Sequence, residues 1–192
     1  MNKQIGLFFG SFNPIHYGHL MIASYMAHFT ELEEVWFVVS PQNPFKEKKN
    51  LANMYDRLEM VNIAIENSGK LLASSIEFNL PKPSYTIDTL IHLKEKYPNR
   101  DFVLIMGEDN LASLEKWKNY EIILRDYKIF VYPRPNAGKS TLRNHPSVTV
   151  TDTPLIEISS TFIRHSIKNN KNVKYFTPDG VIDFIDKKGL YL

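Results

Sequence analysis

Apolar residues in this chain fall into two alternating spacings: short continuous runs, and longer stretches that repeat every three or four positions. Residues 5–9, 35–39, 102–106 and Lys128–Tyr132 are the runs. They are too short for buried helices, are rich in β-branched and aromatic side chains, and are predicted as strands. Weaker strands are expected over 71–75 and 148–151. Helical spacing covers 20–29 and Met54–Ile65, where Leu58, Val61 and Ile65 recur and Asn67-Ser68-Gly69 follows as a stop. Ser84 is expected to cap a helix through Ile87, Leu90, Ile91 and Leu93 that ends before Pro98. A further helix is expected over 111–124, and others from Ser160 and from Asp179.

Alternation of this kind predicts an α/β fold, a Rossmann-like doubly wound parallel sheet with helices on both faces. At 192 residues, one domain over 1–192 is expected. The longest polar connection, 41–53, carries Lys46, Lys48 and Lys49. On charge alone it is a solvated run, but beside a ligand crevice it is expected to move as a lid.

Composition narrows the chemistry more than the fold. The chain has no cysteine, which excludes disulfide scaffolds, thiolate metal sites and thiol nucleophiles. Its formal net charge of +2 gives no reason to expect nucleic acid as a partner. No apolar run approaches the length of a membrane span, and no basic-then-apolar leader follows Met1, so a cytoplasmic protein is expected.

Gly10-Ser11-Phe12-Asn13-Pro14-Ile15-His16-Tyr17-Gly18-His19 joins the first strand to the first helix. Gly10 and Asn13-Pro14 are turn-forming sites that let backbone bend around an anion. The following helix start offers free amides and a partial positive charge, and histidines at i and i+3 share one face there. As a metal pair these histidines lack an obvious third ligand, and no resident metal is expected. A second candidate is Ile158-Ser159-Ser160-Thr161-Phe162-Ile163-Arg164. Read plainly it is a serine-capped helix start, except that Arg164 opposes the helix dipole, an opposition that a bound phosphate would reverse. Gly107-Glu108-Asp109 ends the most apolar strand, so that Gly10 and Gly107 would meet where the sheet order reverses. Gly138-Lys139-Ser140 imitates a phosphate loop, but Pro133 stands where the required glycine belongs.

These stretches resemble the nucleotidylyltransferase superfamily and, more narrowly, the bacterial nicotinate-nucleotide adenylyltransferases, with Ser11 and Asn13 where that family has Thr and Asp. The resemblance implies that His16 and His19 contact the ATP phosphates, with Gly10, Ser11 and Phe12 around them. It implies the same for Ser160, Thr161 and Arg164, so that the C-terminal helices from about 159 complete the ATP site. Gly107 and Asp109 match the family's Gly-x-Asp, which implies that Asp109 holds the nucleotide ribose. Trp117 stands where the family stacks a tryptophan on a pyridine ring. Pro83-Ser84-Tyr85-Thr86-Ile87-Asp88-Thr89-Leu90 matches the segment lining that ring, and amides near Tyr85 and Thr86 would receive its carboxylate. Pro44-Phe45-Lys46 resembles Pro-His-Lys, with Lys46 reaching a substrate phosphate and phenylalanine replacing the histidine. Arg134 resembles a family arginine near the active site.

The implied reaction transfers AMP from ATP to nicotinate mononucleotide, yielding deamido-NAD and pyrophosphate, with Mg²⁺ on the ATP phosphates. Other readings are an adenylyltransferase preferring nicotinamide mononucleotide or another phosphate monoester, and a non-catalytic pyridine-nucleotide sensor. Class I aminoacyl-tRNA synthetases also carry His-x-Gly-His, but this chain lacks their Lys-Met-Ser-Lys-Ser loop.

Overall fold

The structure, a computed structural model, describes residues 2–41, 51–81, 83–135, 137–138 and 140–192. In chain order the elements are β1 (Lys3–Gly10), α1 (Tyr17–Phe29), β2 (Glu34–Val39), α2 (Met54–Ile65), β3 (Leu71–Ser74), α3 (Thr86–Lys96) and β4 (Arg100–Gly107). Then follow α4 (Glu108–Leu111), α5 (Tyr120–Asp126), β5 (Lys128–Tyr132), β6 (Val148–Val150), α6 (Ser160–Lys168) and α7 (Asp179–Lys188). Six strands form one sheet in the order β3-β2-β1-β4-β5-β6, every neighbouring pair parallel. This is the expected doubly wound α/β fold.

The strands read as unbroken apolar runs because both faces are covered. Phe8, Phe37, Ile105 and Phe130 point to one side, where Met26 of α1, Met60 of α2 and Val181 and Ile185 of α7 close over them. Ile5, Leu7, Leu104 and Ile129 point to the other, under Leu90 and Leu93 of α3 and Ile123 of α5. β1 and β4 are hydrogen-bonded neighbours, with Phe8 level with Ile105, and both end in glycine two residues later. The winding reverses between them, which opens a crevice at their carboxyl ends. Among the described residues no helix is long and apolar enough to cross a membrane.

Three local expectations change. α1 begins at Tyr17 rather than Leu20, which puts His16 at its N-cap and His19 inside its first turn. The helix expected over 111–124 is broken. The Ser113 hydroxyl bonds to the carbonyls of Asp109 and Asn110 in competition with the helix ladder, a 3-10 turn follows at Leu114–Lys116, and Asn119 turns left-handed at φ 53°. Trp117 and Lys118 are thereby released to the crevice rim. Finally, α3 starts at Thr86 with Tyr85 as N-cap, so Ser84 does not cap it.

Candidate active site

His16 and His19 close a reciprocal capping box. The His19 amide donates to His16 Nδ1 and the His16 amide to His19 Nδ1, each at 3.3 Å. Both Nδ1 atoms are therefore acceptors, which leaves the proton of each neutral ring on Nε2. The rings stack with centroids 3.7 Å apart. Phe12, itself held at φ 44°, sets its buried ring edge-on to His19 at 5.1 Å. A side chain at Gly10 would strike that ring, 2.7 Å from its nearest atom, so the glycine is required by close approach. With its ring enclosed by Phe8, Phe37 and His19, Phe12 offers a ligand only its backbone.

Burial, reinforced by the charge of Arg134, lowers the His16 pKa to about 4, so its ring is neutral at pH 7. An unfolded histidine titrates at 6.5 and takes up its proton first, so this group's stabilisation is complete above pH 6.5 and is lost as pH falls toward 4. His16→Asn, which keeps a capping side chain, is expected to remove about 2 kcal/mol of the stability lost between pH 7 and pH 5. Urea unfolding of both proteins at the two pH values measures it, and parallel losses would contradict the assignment.

The loop from Ser11 to Ile15 turns its carbonyls into the protein, where side chains from distant segments hold them. Arg57 Nη1 donates to Ser11 O at 2.6 Å and Arg164 Nη1 to Asn13 O at 2.8 Å. Ser160 Oγ donates to Pro14 O at 2.9 Å and Thr177 Oγ1 to Ile15 O at 2.7 Å. The Asn13 side chain accepts from the Ala52 amide and from Tyr191 Oη. A cradle for an anion must keep carbonyl oxygens away from it, and these contacts do so. The start of α6 is thus fastened to the start of α1, and the two predicted motifs meet. Arg164 also reaches Thr161 Oγ1 at 3.3 Å, while Ser159, the N-cap of α6, accepts from the Phe162 amide.

Arg57 was not singled out by the sequence analysis. It is fully buried in α2, and its remaining donors reach Ser40 O, Pro41 O and Ala52 O. A signal existed: Arg57, Val61 and Ile65 lie four residues apart on one helix face.

Across the crevice β4 ends at Gly107, where any Cβ would collide with the Asp109 carboxylate. Asp109 stands 3.8 Å from Arg134 Nε, and the Arg134 amide donates to Glu108, which also pairs with Arg143. A cavity of about 130 Å³ opens beside the β1 and β4 ends, walled by Phe9, Leu104, Met106 and Trp117 together with Tyr85 and Thr86. Lys118 lies over the Tyr85 ring at 4.9 Å and bonds to Asp88. Glu77 and Ser84 also line this cavity; Ser84 belongs to the segment expected to line the ring, whereas Glu77 was not singled out. Lys46, and most of the expected lid, lie outside the described residues.

Residues 7–166 match a family model described as cytidylyltransferase-like. The chain is 53% identical over 188 residues to a Cytophaga hutchinsonii protein named "Probable nicotinate-nucleotide adenylyltransferase", covering 98% of each. A Christiangramia forsetii protein of the same name is 52% identical, with 100% of each chain covered. Among solved structures the fold is similar to the Plasmodium falciparum nicotinic acid mononucleotide adenylyltransferase complexed with NaAD, at a TM-score of 0.83 and 24% identity, covering 98% of this chain and 97% of that one. With half its residues shared along the full length, on a sheet wound in the same way, the chain belongs to the nicotinate-nucleotide adenylyltransferase family of nucleotidyltransferases.

Proposed function

We propose that the crevice between β1 and β4 transfers AMP from ATP to nicotinate mononucleotide, forming deamido-NAD and pyrophosphate. One observation carries this reading: Ser160 and Arg164 of α6 are fastened to the same loop that presents His16 and His19. Donors from both ends of the chain thus meet on the loop that follows Gly10, and Gly10 itself lines the cavity that holds a tryptophan. The Plasmodium falciparum relative, solved with NaAD, is consistent with that product.

In the reaction a phosphate oxygen of the mononucleotide attacks the α-phosphorus of ATP in line with the departing pyrophosphate. One P–O bond forms as the bond to the β-phosphate oxygen breaks. Both reactants are anions, so the protein's task is to position them and to offset charge, without a covalent intermediate. His16 and His19 act as Nε2–H donors to the phosphates. Arg164 keeps donors beyond the two it uses on Asn13 and Thr161, and these serve the β- and γ-phosphates. Ser160, whose hydroxyl is spent on Pro14, contributes through the amides of the α6 start together with Thr161. The backbone of Gly10, Ser11 and Phe12 borders the α-phosphate, and Gly107 leaves room for Asp109 to meet the ribose.

Trp117 stacks on the pyridine ring, and the amides at Tyr85 and Thr86 meet its carboxylate. Lys46 is assigned to the mononucleotide phosphate. Residues 1–192 act as one unit, completed at the ATP site by the segment from about 159. Magnesium enters on the ATP phosphates as part of that substrate. The gathered side chains are neutral or cationic donors, which suit phosphate oxygens, and among the described residues no group of three or more histidines or carboxylates is assembled for a metal. Pyrophosphate release is expected with ATP plus nicotinate mononucleotide. Tight binding of both without turnover would replace the enzyme by a sensor.

A further inference from the structure

A polar corner of the same cavity extends this reading and rests on it. Glu77 lies in the 3-10 turn Ile76–Asn79, between β3 and α3, and is 2% exposed. Its Oε1 accepts a 2.8 Å hydrogen bond from the Thr89 hydroxyl, and the Ser40 hydroxyl also faces the carboxyl, but its Oε2, shielded from solvent, makes no hydrogen bond of normal geometry among the described residues. The Ser84 hydroxyl, freed because it does not cap α3, is likewise shielded and unpartnered. Buried polar atoms left unpaired are costly, and two of them in one cavity mark where a ligand's polar group completes them. The N-cap of α3, Tyr85, makes no side-chain capping bond, so the first amides of that helix remain available at the same wall.

We propose that Glu77, with Ser84 beside it, reads the exocyclic group of the pyridine ring and sets the choice between the acid and the amide mononucleotide. The sign of that choice follows from the hydrogen-bond directions. Oε1 accepts from Thr89 at 2.8 Å, so a proton carried on Oε2 would be donated into the cavity. Desolvation favours this neutral form by raising the Glu77 pKa, against the opposing pull of the Thr89 and Ser40 hydroxyls. In that neutral form the corner presents donors: Oε2–H, the Ser84 hydroxyl and the α3 amides. A ring carboxylate accepts from all of them through two oxygens. A carboxamide has one oxygen to offer, and its NH₂ can be received by the Ser84 hydroxyl but not by Oε2–H or the amides. An ionised Glu77 would reverse the preference by accepting from the NH₂ and repelling the carboxylate.

Steady-state kinetics with nicotinate and nicotinamide mononucleotides at saturating ATP test this on the full chain. Glu77→Leu is expected to raise KM for the nicotinate nucleotide roughly 10–100-fold, to raise it much less for the nicotinamide nucleotide, and to leave KM for ATP in place. Glu77→Gln, whose carbonyl serves Thr89 and whose N–H replaces the acid proton, is expected to recover most of that loss. Ser84→Ala should cost the acid substrate roughly 3–10-fold. Equal shifts for both nucleotides in Glu77→Leu would overturn the assignment, because loss of mere structural support does not discriminate between them. If that variant does not fold, Glu77→Gln still decides. Retained acid preference supports the proposal, and a tenfold gain in acid preference would reveal a carboxylate in the wild type and overturn it. Absence of turnover by the wild type with either nucleotide would instead strike the reading of the cavity itself.

Discussion

Replacing His19 by alanine is expected to lower kcat for adenylyl transfer by about 10²–10³-fold while changing KM for ATP far less. The His16 amide donates to its Nδ1, which fixes the tautomer and puts the ring proton on Nε2. The imidazole is held by the stack on His16 and by the edge of Phe12, so the donor is oriented before substrate arrives. Charge builds on the phosphate oxygens only as the bonds to the α-phosphorus exchange. A preoriented donor there stabilises the transition state more than the bound ground state. The fold should tolerate the change: half of the capping box is lost, but His16 Nδ1 still accepts from the backbone amide of residue 19, so the cost is about 1 kcal/mol. Purified variant and wild type are compared by pyrophosphate release across ATP concentrations. Wild-type kcat in a folded variant would remove His19 from the mechanism.

The features legible in the sequence were those set by local periodicity and by the two phosphate motifs. Residues 102–106 could be placed at the centre of a parallel sheet because a strand covered on both faces has no polar face to show. The adjacency of β1 and β4, and so the crevice, followed from fold rules rather than from either strand's residues. What escaped was decided by contacts between distant segments. Leu111, Leu114, Ile123 and Leu124 suit a helix from their spacing, but Ser113 and Asn119 interrupt it, and the interruption brings Trp117 to the cavity. Ser84 has the chemistry of a cap and is not used as one. Glu77 carries no local signal at all, since its burial is created by α3 and the end of β2 folding over it.

Arg57 illustrates the same limit with the larger energetic consequence. Its guanidinium is fully buried, yet its hydrogen-bond partners are four backbone carbonyls: Ser11, Ser40, Pro41 and Ala52. Desolvation lowers its pKa to about 10, which still leaves it charged at neutral pH. Methionine fills a comparable apolar volume and removes the cost of burying the charge, so packing alone makes Arg57→Met look harmless. The carbonyls decide otherwise. Each loses its donor inside a water-poor region, at about 1–3 kcal/mol apiece before relaxation, and this exceeds what the lost desolvation penalty returns. A net destabilisation of about 3–5 kcal/mol is expected, equivalent to a fall in Tm of roughly 10 °C for a chain of this size. Arg57→Lys retains the charge but lacks the planar fork needed to reach all four oxygens, and should lie between the two. Because these carbonyls belong to the loops after β1 and β2, residual folded Arg57→Met is expected to hold the His16–His19 cradle less rigidly and to turn over more slowly. Urea denaturation of the three proteins measures the ranking. A loss below about 1 kcal/mol in Arg57→Met would mean that water or neighbouring donors satisfy those carbonyls, and that the cradle is shaped by Ser160, Arg164 and Thr177 without help from α2.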